Sequence, residues 1–280
     1  MKRGYLLVFF AASMWGTLGI FAKLLYRYSL DPFTIVFYRA SIAFTLLLLY
    51  NAFKNGLTLK RQKLKFYAFY GFFSVFLFYV LYFYAVKVSS VSLAVLLLYT
   101  APIHSTILGY LVFKEKITPM KLFSLSMVLL GVLFVTQLNE EVNLLGIVLG
   151  LLSGFTYALY GILGKIAVKE EKPEEALMYT LGFGALFLLP FSRFSVPLEA
   201  MPWIFALALF PTFLAYLMYN HALQEVEASR ASIVATIEPV VALILAYLIF
   251  HETLSGRQTI GAVLIILGAL ILQYEESISS

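Results

Sequence analysis

Ten stretches of this chain run almost without charge, near 5–22, 33–53, 66–86, 91–113, 120–137, 143–164, 175–192, 202–222, 228–250 and 256–274. About 20 residues of helix cross the roughly 30 Å of hydrocarbon in a bilayer, so each stretch has the length of a span. The stretches are continuously apolar rather than alternating in polarity, which predicts helices and not barrel strands. Pro32, Pro119 and Pro173 stand where second, fifth and seventh helices would begin, at a position that needs no amide hydrogen. With 62% hydrophobic and only 12% charged residues, the chain carries more apolar surface than a soluble domain of 280 residues can bury. The predicted class is an all-α integral membrane protein.

The opening MKRGYLLVFFAASMWG has the basic start and apolar core of a signal peptide, but the segment recurs later in the chain and reads instead as a first span. Without cysteine, disulfides, thiol catalysis and cysteine metal sites are excluded. The net charge of +5 does not predict nucleic-acid binding, because the basic residues are sorted by side. Ten spans with a cytoplasmic N-terminus place fourteen Lys and Arg inside, Lys2, Lys60 and Arg61 among them, against Lys23, Arg27, Lys87, Arg193 and Arg257 outside. That bias predicts both termini in the cytoplasm.

Laid over one another, SLAVLLLYTAPIHSTILGYLVFKE (92–115) and SRASIVATIEPVVALILAYLIFHE (229–252) match at Ser92, Pro102, Tyr110, Phe113 and Glu115 among other places. The same alignment pairs Tyr79 with Tyr216 and Tyr82 with Tyr219, and a slightly longer offset pairs MWGTLGIFAK with TYALYGILGK. Two copies of a five-span unit, 1–138 and 139–280, follow. Because five is odd, the second copy is expected to enter the membrane upside down, an arrangement that places a site between the halves near the midplane.

The pattern P…ILGYLVFKEKIT…LLGVLFV, the pattern EPVVALILAYLIFHETLSGRQTIGAVLIILGALIL and the opening MWGTLGIFAK resemble the drug/metabolite transporter superfamily, specifically its EamA-type permeases, over essentially the whole chain. The resemblance implies ten helices, cytoplasmic termini and export of amino acids or similar small metabolites. It also implies a central cavity surrounded by spans 1, 3, 4, 6, 8 and 9, with spans 5 and 10 peripheral.

Glu238 is the acid that neither end of its span can lift into water. A charge at the bilayer centre costs about 3 kcal/mol on insertion scales, a cost relieved by a proton or a nearby cation. Proton carrier, partner of a substrate ammonium and protonated structural donor are all open roles, and Ala231, Ala235 and Ala242 share its face, which could border a wet vestibule. Pro102 and Pro239 each remove a helical hydrogen bond, freeing the carbonyls of Leu98 and Ala235, and are expected to kink their helices beside the cavity. His104 is of the residue type that can titrate in the physiological range, and could partner Glu238, bond to backbone or carry a proton. Arg39 could snorkel outward, pair with Asp31 or meet a substrate carboxylate.

Tyr79, Tyr82, Tyr216 and Tyr219, with Asn220 adjacent, suit either an interfacial belt or cavity walls, and Trp15, Tyr99, Tyr157 and Tyr160 are similar candidates. Ala12, Gly16 and Gly19 in the first span, and Gly146, Gly150, Gly154, Ala158 and Gly161 in the sixth, form small-residue stripes for static packing or sliding. Lys23 and Lys165 close those stripes as anchors or as carboxylate ligands. No cofactor or metal is expected.

The functional expectation is a permease moving small polar metabolites, with protons as a candidate coupling ion and a monomer or weak homodimer as the unit. Proton-coupled efflux of hydrophobic or cationic drugs is the alternative. No HExxH, GxSxG or nucleophile–base pair lies in the spans to predict an enzyme, and the tail QYEESISS is short for a sensor's output segment.

Overall fold

In hydrocarbon every backbone N–H and C=O must find a partner inside the protein, and a helix supplies those partners locally. The computed structural model describes residues 3–54, 61–136 and 143–278, and every regular element among them is helical. Lys2, Lys60, the Arg61 side chain and the division at 138/139 lie outside the described residues. In chain order the elements are α1 (Arg3–Trp15), α2 (Leu18–Tyr26), α3 (Pro32–Lys54), α4 (Leu64–Gly71), α5 (Phe78–Val88), α6 (Val91–Leu98), α7 (Ala101–Phe113) and α8 (Pro119–Val135). There follow α9 (Leu144–Glu170), α10 (Pro173–Leu188), α11 (Met201–Ala208), α12 (Ala215–Glu225), α13 (Ala228–Ala235), α14 (Glu238–Phe250) and α15 (Gly256–Ile278).

Several neighbours are halves of one long helix. Joined across their breaks, the elements make 8 helices long and apolar enough to cross a membrane. The other two expected spans are shorter: α8 has 17 residues, and α10 has 16 residues. Pro173 opens α10 as its first residue, and Pro190, in the 3-10 turn that follows it, bounds it at the other end.

Pro102 and Pro239 do more than kink. Each span leaves the helix just before its proline, at Tyr99–Thr100 and at Thr236–Ile237, and restarts with the proline as the second residue of α7 or α14. Proline disfavours helical backbone before it and supplies no amide, so interruption is the relaxed outcome. A third break, at Gly16–Thr17, has no proline and was not foreseen. The three breaks share a threonine whose hydroxyl donates back to a carbonyl left by the failing helix: Thr17 to Met14 at 2.6 Å, Thr100 to Leu97 at 2.6 Å and Thr236 to Ile233 at 2.5 Å.

The freed Leu98 carbonyl lies against Gly154 of α9, where an added Cβ would stand 3.1 Å from it and 2.8 Å from the Leu97 carbonyl. Gly16 sits in the same way against the Glu238 carbonyl, 2.9 Å from a built Cβ. Packing explains these two glycines. Gly19, at the end of the same stripe, faces nothing within 4 Å.

Between α4 and α5, residues Phe72–Leu77 widen into a π-helical turn, and Leu209–Leu214 do so between α11 and α12. The alignment that lays 92–115 over 229–252 carries α4, this turn, α5, α6 and α7 onto α11, its turn, α12, α13 and α14 without slippage. It also carries Lys114, left-handed at φ 59°, onto His251 at φ 56°.

Ion pairs and hydrogen bonds sort the helix ends into two groups. A near end joins Arg3 to Glu225, Lys63 to Glu170 and Glu171, Lys121 to Glu227, and Arg230 to Glu275. A far end joins Lys23 to Glu252 and Asp31 to Arg193. α8 and α15 pack on each other through Gly131 and Gly261, each close to the other's carbonyl.

Candidate functional site

Interruption of the ninth span turns its middle into a helix start. Glu238 is the first residue of α14, where the helix dipole favours an anion, so the backbone itself offsets part of the cost of a carboxylate there. Tyr99, the residue that ends α6 at the matching break of the fourth span, is an electrostatic neighbour of the Glu238 carboxyl. The side chains at the two breaks thus lie near one another. Arg39 is the cation whose charge Glu238 feels, and Tyr82, Tyr157 and Tyr216 are its other electrostatic neighbours. Ala231 and Ala235, expected beside a wet vestibule, are buried in the core.

Arg39 neither snorkels nor pairs with Asp31. It is 5% exposed, and its guanidinium donates to Thr212 Oγ1 at 2.8 Å, to the Tyr79 hydroxyl at 3.2 Å and to the Pro211 carbonyl at 3.4 Å. Asp31 instead caps α3 through the Thr34 amide and hydroxyl and faces Arg193. The π-helical turn explains the diversion. Widening the backbone at Pro211–Thr212 exposes a carbonyl and a hydroxyl to an inward-pointing cation, and Thr212 in turn donates to the Leu207 carbonyl. Beside Arg39 lies a cavity of about 10 Å³, bordered also by Ser74, Tyr79, Thr212 and Tyr216. The buried Ser74 hydroxyl has no partner among the described residues.

The aromatic candidates line the interior and do not form a belt. Trp15 lies 5.0 Å from Tyr216 and 5.3 Å from Tyr219 between ring centres, and Tyr160 packs 4.9 Å from Tyr216. Asn220 donates to the Tyr160 hydroxyl at 2.8 Å, and Phe78 bridges Tyr82 and Tyr157. A second cavity of about 10 Å³ lies among Trp15, Ser105, Tyr157, Tyr160, Tyr219 and Ser232, and the Trp15 indole N–H has no partner there. Tyrosine rings therefore line the interior where the family resemblance implied a central cavity. Each of these two voids has room for about one water molecule.

His104 is not brought to Glu238. Its Nε2 lies 3.4 Å from Thr100 Oγ1, and its ring meets Phe155 of α9 edge-on at 5.7 Å. Glu238 begins α14, whereas the matching place in α7 belongs to Ala101, nearly a full turn before His104, so the two side chains serve different surroundings. Lys23 pairs with Glu252 at 3.4 Å and lies over the Phe250 ring, while Lys165 donates to the Leu223 and Val226 carbonyls at the end of α12. Lys23 thus lies against the end of α14, and Lys165 against the end of α12.

The sequence reading missed Ser74, Ser105, Thr212 and Ser232. Pro211 in the middle of an apolar run was the signal for Thr212, since it removes an amide and invites a widened turn. Nothing at the sequence level marked the serines.

The EamA-like transporter family matches residues 2–137 and again 144–274. A transporter of Archaeoglobus fulgidus is 33% identical over 190 residues, which cover 68% of this chain and 70% of that one. The transporter YyaM of Bacillus subtilis is 32% identical over 204 residues, 68% of this chain and 67% of its own. A protein of Salmonella typhimurium named a "probable amino-acid metabolite efflux pump" is 29% identical over 64% of this chain and 66% of its own. A solved crystal structure covers 96% of this chain and 98% of that chain with a TM-score of 0.84 at 17% identity, which establishes likeness of fold. Many long apolar helices and relatives named as transporters make this a multi-pass membrane transporter. The chain belongs to the EamA-like transporter family.

Proposed function

We propose that the protein is a permease that exports small polar metabolites, amino acids foremost, across the cytoplasmic membrane by alternating access. In this reading ten spans form two inverted repeats, with both termini in the cytoplasm. The element-by-element recurrence along the chain and the two family matches support the duplication. The excess of Lys and Arg at the near end supports its cytoplasmic placement.

The observation that carries the substrate class is the coexistence of Glu238 and Arg39, an acid and a base sensing one another inside an apolar bundle and bordered by tyrosines. A zwitterion answers both charges. Its ammonium meets Glu238 and the faces of Tyr82, Tyr99 and Tyr157, and its carboxylate meets Arg39 beside Ser74 and Tyr79. Trp15, Tyr216 and Tyr219 form the wall around its side chain, and Asn220 holds that wall in place. The name borne by the Salmonella relative agrees with this class. Counterflow of a labelled amino-acid panel in proteoliposomes, with and without a pH gradient, tests it. Accumulation of at least one amino acid is the expected result, whereas folded protein that exchanges none of the panel would overturn the substrate class.

Efflux of hydrophobic cations against protons is the second reading, favoured by the aromatic surroundings of Glu238. Under that reading Glu238→Gln abolishes proton-coupled movement of a cationic dye, and Arg39 is dispensable for it.

A further inference from the structure

At the near end, the corner between α7 and α8 grips the start of α13. Glu115 is 6% exposed, and its carboxylate accepts the Ala228 amide at 2.8 Å, the Ser229 amide at 3.1 Å and the Ser229 hydroxyl. The residue just before α13, Glu227, does not cap its own helix, so the first amides of the second repeat's broken span are satisfied by a side chain of the first repeat. Lys121, fully buried, adds bonds to Glu227 at 2.6 Å and to Ser229 at 3.0 Å. α7 and α13 are packed together here, closing the near end between the two broken spans.

The same parts recur at the far end, unassembled. The repeat alignment turns Glu115 into Glu252, Ala228 into Val91 and Ser229 into Ser92, with glutamate and serine retained. Glu252 follows a left-handed residue as Glu115 does, and their amides reach back to the Ala246 and Gly109 carbonyls in the same way. Yet Glu252 is exposed and paired only loosely, at 3.4 Å, with the equally exposed Lys23. Val91 is 60% exposed, and the Val91 and Ser92 amides have no acceptor among the described residues. Ser90 caps only the Leu93 amide of that helix. α6 and α14, the mirror pair of α13 and α7, make at most marginal contact.

Resting on the alternating-access reading above, we propose that Glu115 and Glu252 are the two exchanging gate carboxylates of transport. Glu115 holds the start of α13 in the state seen here. When the far end closes, Glu252 leaves Lys23 and takes the Val91 amide, the Ser92 amide and the Ser92 hydroxyl, while Glu115 releases α13. The two latches are unequal. Lys121 and Glu227 correspond to Gln258 and Ser90, and Arg230, which ties Glu227 to Glu275, corresponds to Leu93, so the far latch lacks the ion pairs of the near one. The inequality favours the near-closed state at rest.

The chain has no cysteine, so engineered pairs read the motion cleanly. Ser90→Cys with Gln258→Cys are the far-end counterparts of Glu227 and Lys121. A short bifunctional thiol reagent should join them in membranes, because the far end closes at intervals, and the join should form at least fivefold more slowly with Glu252→Gln and faster with Ser229→Ala. This arm needs no substrate, and failure to join at all overturns the latch.

In counterflow, Glu252→Gln should lower turnover at least tenfold while changing substrate affinity less than twofold. Its melting temperature should match that of the parent, because Glu252 is exposed in the folded state seen here. Lys23→Gln, which removes only the present partner of Glu252, should not slow exchange. An ordinary surface ion pair predicts that the two variants behave alike, and that result would overturn the proposal. A parent protein that moves no solute yet joins its cysteines in the expected order would sink the transport reading and leave the exchanging latch standing.

Discussion

The fourth and ninth spans, α6–α7 and α13–α14, are built on one backbone plan and carry opposite chemistry. Both stop shortly before an aligned proline, restart with that proline second and end on a left-handed residue. The restart position is Ala101 in one and Glu238 in the other. Both breaks offer a helix N-terminus inside the bundle, yet only the second carries a carboxyl group, and Arg39 is the cation set against it. The near half of the pair is sealed by buried charge, whereas the far half relies on an exposed contact. Recurring sequence brings recurring backbone geometry, because proline acts on the chain wherever it stands. A buried charge survives only where a particular neighbour answers it.

Substitutions at matched places sharpen this contrast. The largest effect is expected at the ends. Lys121→Met deletes two hydrogen bonds of a fully buried cation, to Glu227 and to Ser229, while Arg230 still holds Glu227, and should cost about 3 kcal/mol. Lys23→Met at the far end should cost less than about 0.5 kcal/mol, since both partners are exposed. Equal losses in denaturant unfolding would erase the distinction between the ends.

Next comes the glycine at the break. Gly154→Ala places a Cβ 2.8 Å from the Leu97 carbonyl on a backbone that cannot retreat, and should cost about 2 kcal/mol. Gly19→Ala, with nothing within 4 Å, should be neutral or slightly stabilising. Thermal unfolding of the pair in detergent checks both.

Glu238→Gln removes the ionisable group and keeps the shape. It should lower exchange by about tenfold or more, the equivalent of roughly 1.4 kcal/mol, without matching damage to stability. Full activity in this variant would mean that the chemical difference between the spans has no bearing on transport.

Thr100→Val and Thr236→Val each delete a hydroxyl that repairs a broken turn, and each should cost about 1 kcal/mol. Similar losses would support the view that the two breaks are repaired by one device.

The smallest effect is a pH dependence. Burial pushes the Glu227 carboxyl up, but the hydrogen bond and charge of Lys121, with Arg230 beside it, outweigh burial and leave it below the ordinary glutamate value of 4.5. A carboxyl depressed in the fold stabilises fully above its unfolded value and loses that contribution as pH falls through its folded value. Unfolding midpoints should therefore decline as pH drops below about 4.5, and the decline should flatten in Lys121→Met. No Lys121–Glu227 pair has a counterpart at the far end, where Gln258 and Ser90 do not titrate.

The apolar spans, the recurrence of sequence and the disturbance at the two prolines were legible from local patterns, whereas the tyrosines read equally as a belt or as interior walls. Length of apolar run, repeat spacing and proline are properties of short stretches. The break at Gly16–Thr17 and the π-helical turn at Phe72–Leu77 were not legible, because no residue there forbids a helix and neighbouring spans decide the matter. Arg39 read most naturally as a snorkelling side chain, and only the widened turn of another helix draws it inward. His104 shared depth and character with Glu238 but faces Thr100 and Phe155.

By itself, then, the sequence determined that this chain crosses a membrane many times, that its pattern recurs at a fixed offset, and that two of its helices fail at aligned prolines. The tertiary structure alone decided which charges meet. Periodicity and proline act within a turn or two of helix, whereas Arg39 and Glu238, or Glu115 and Ser229, lie far apart along the chain and become neighbours only through the packing of separate helices.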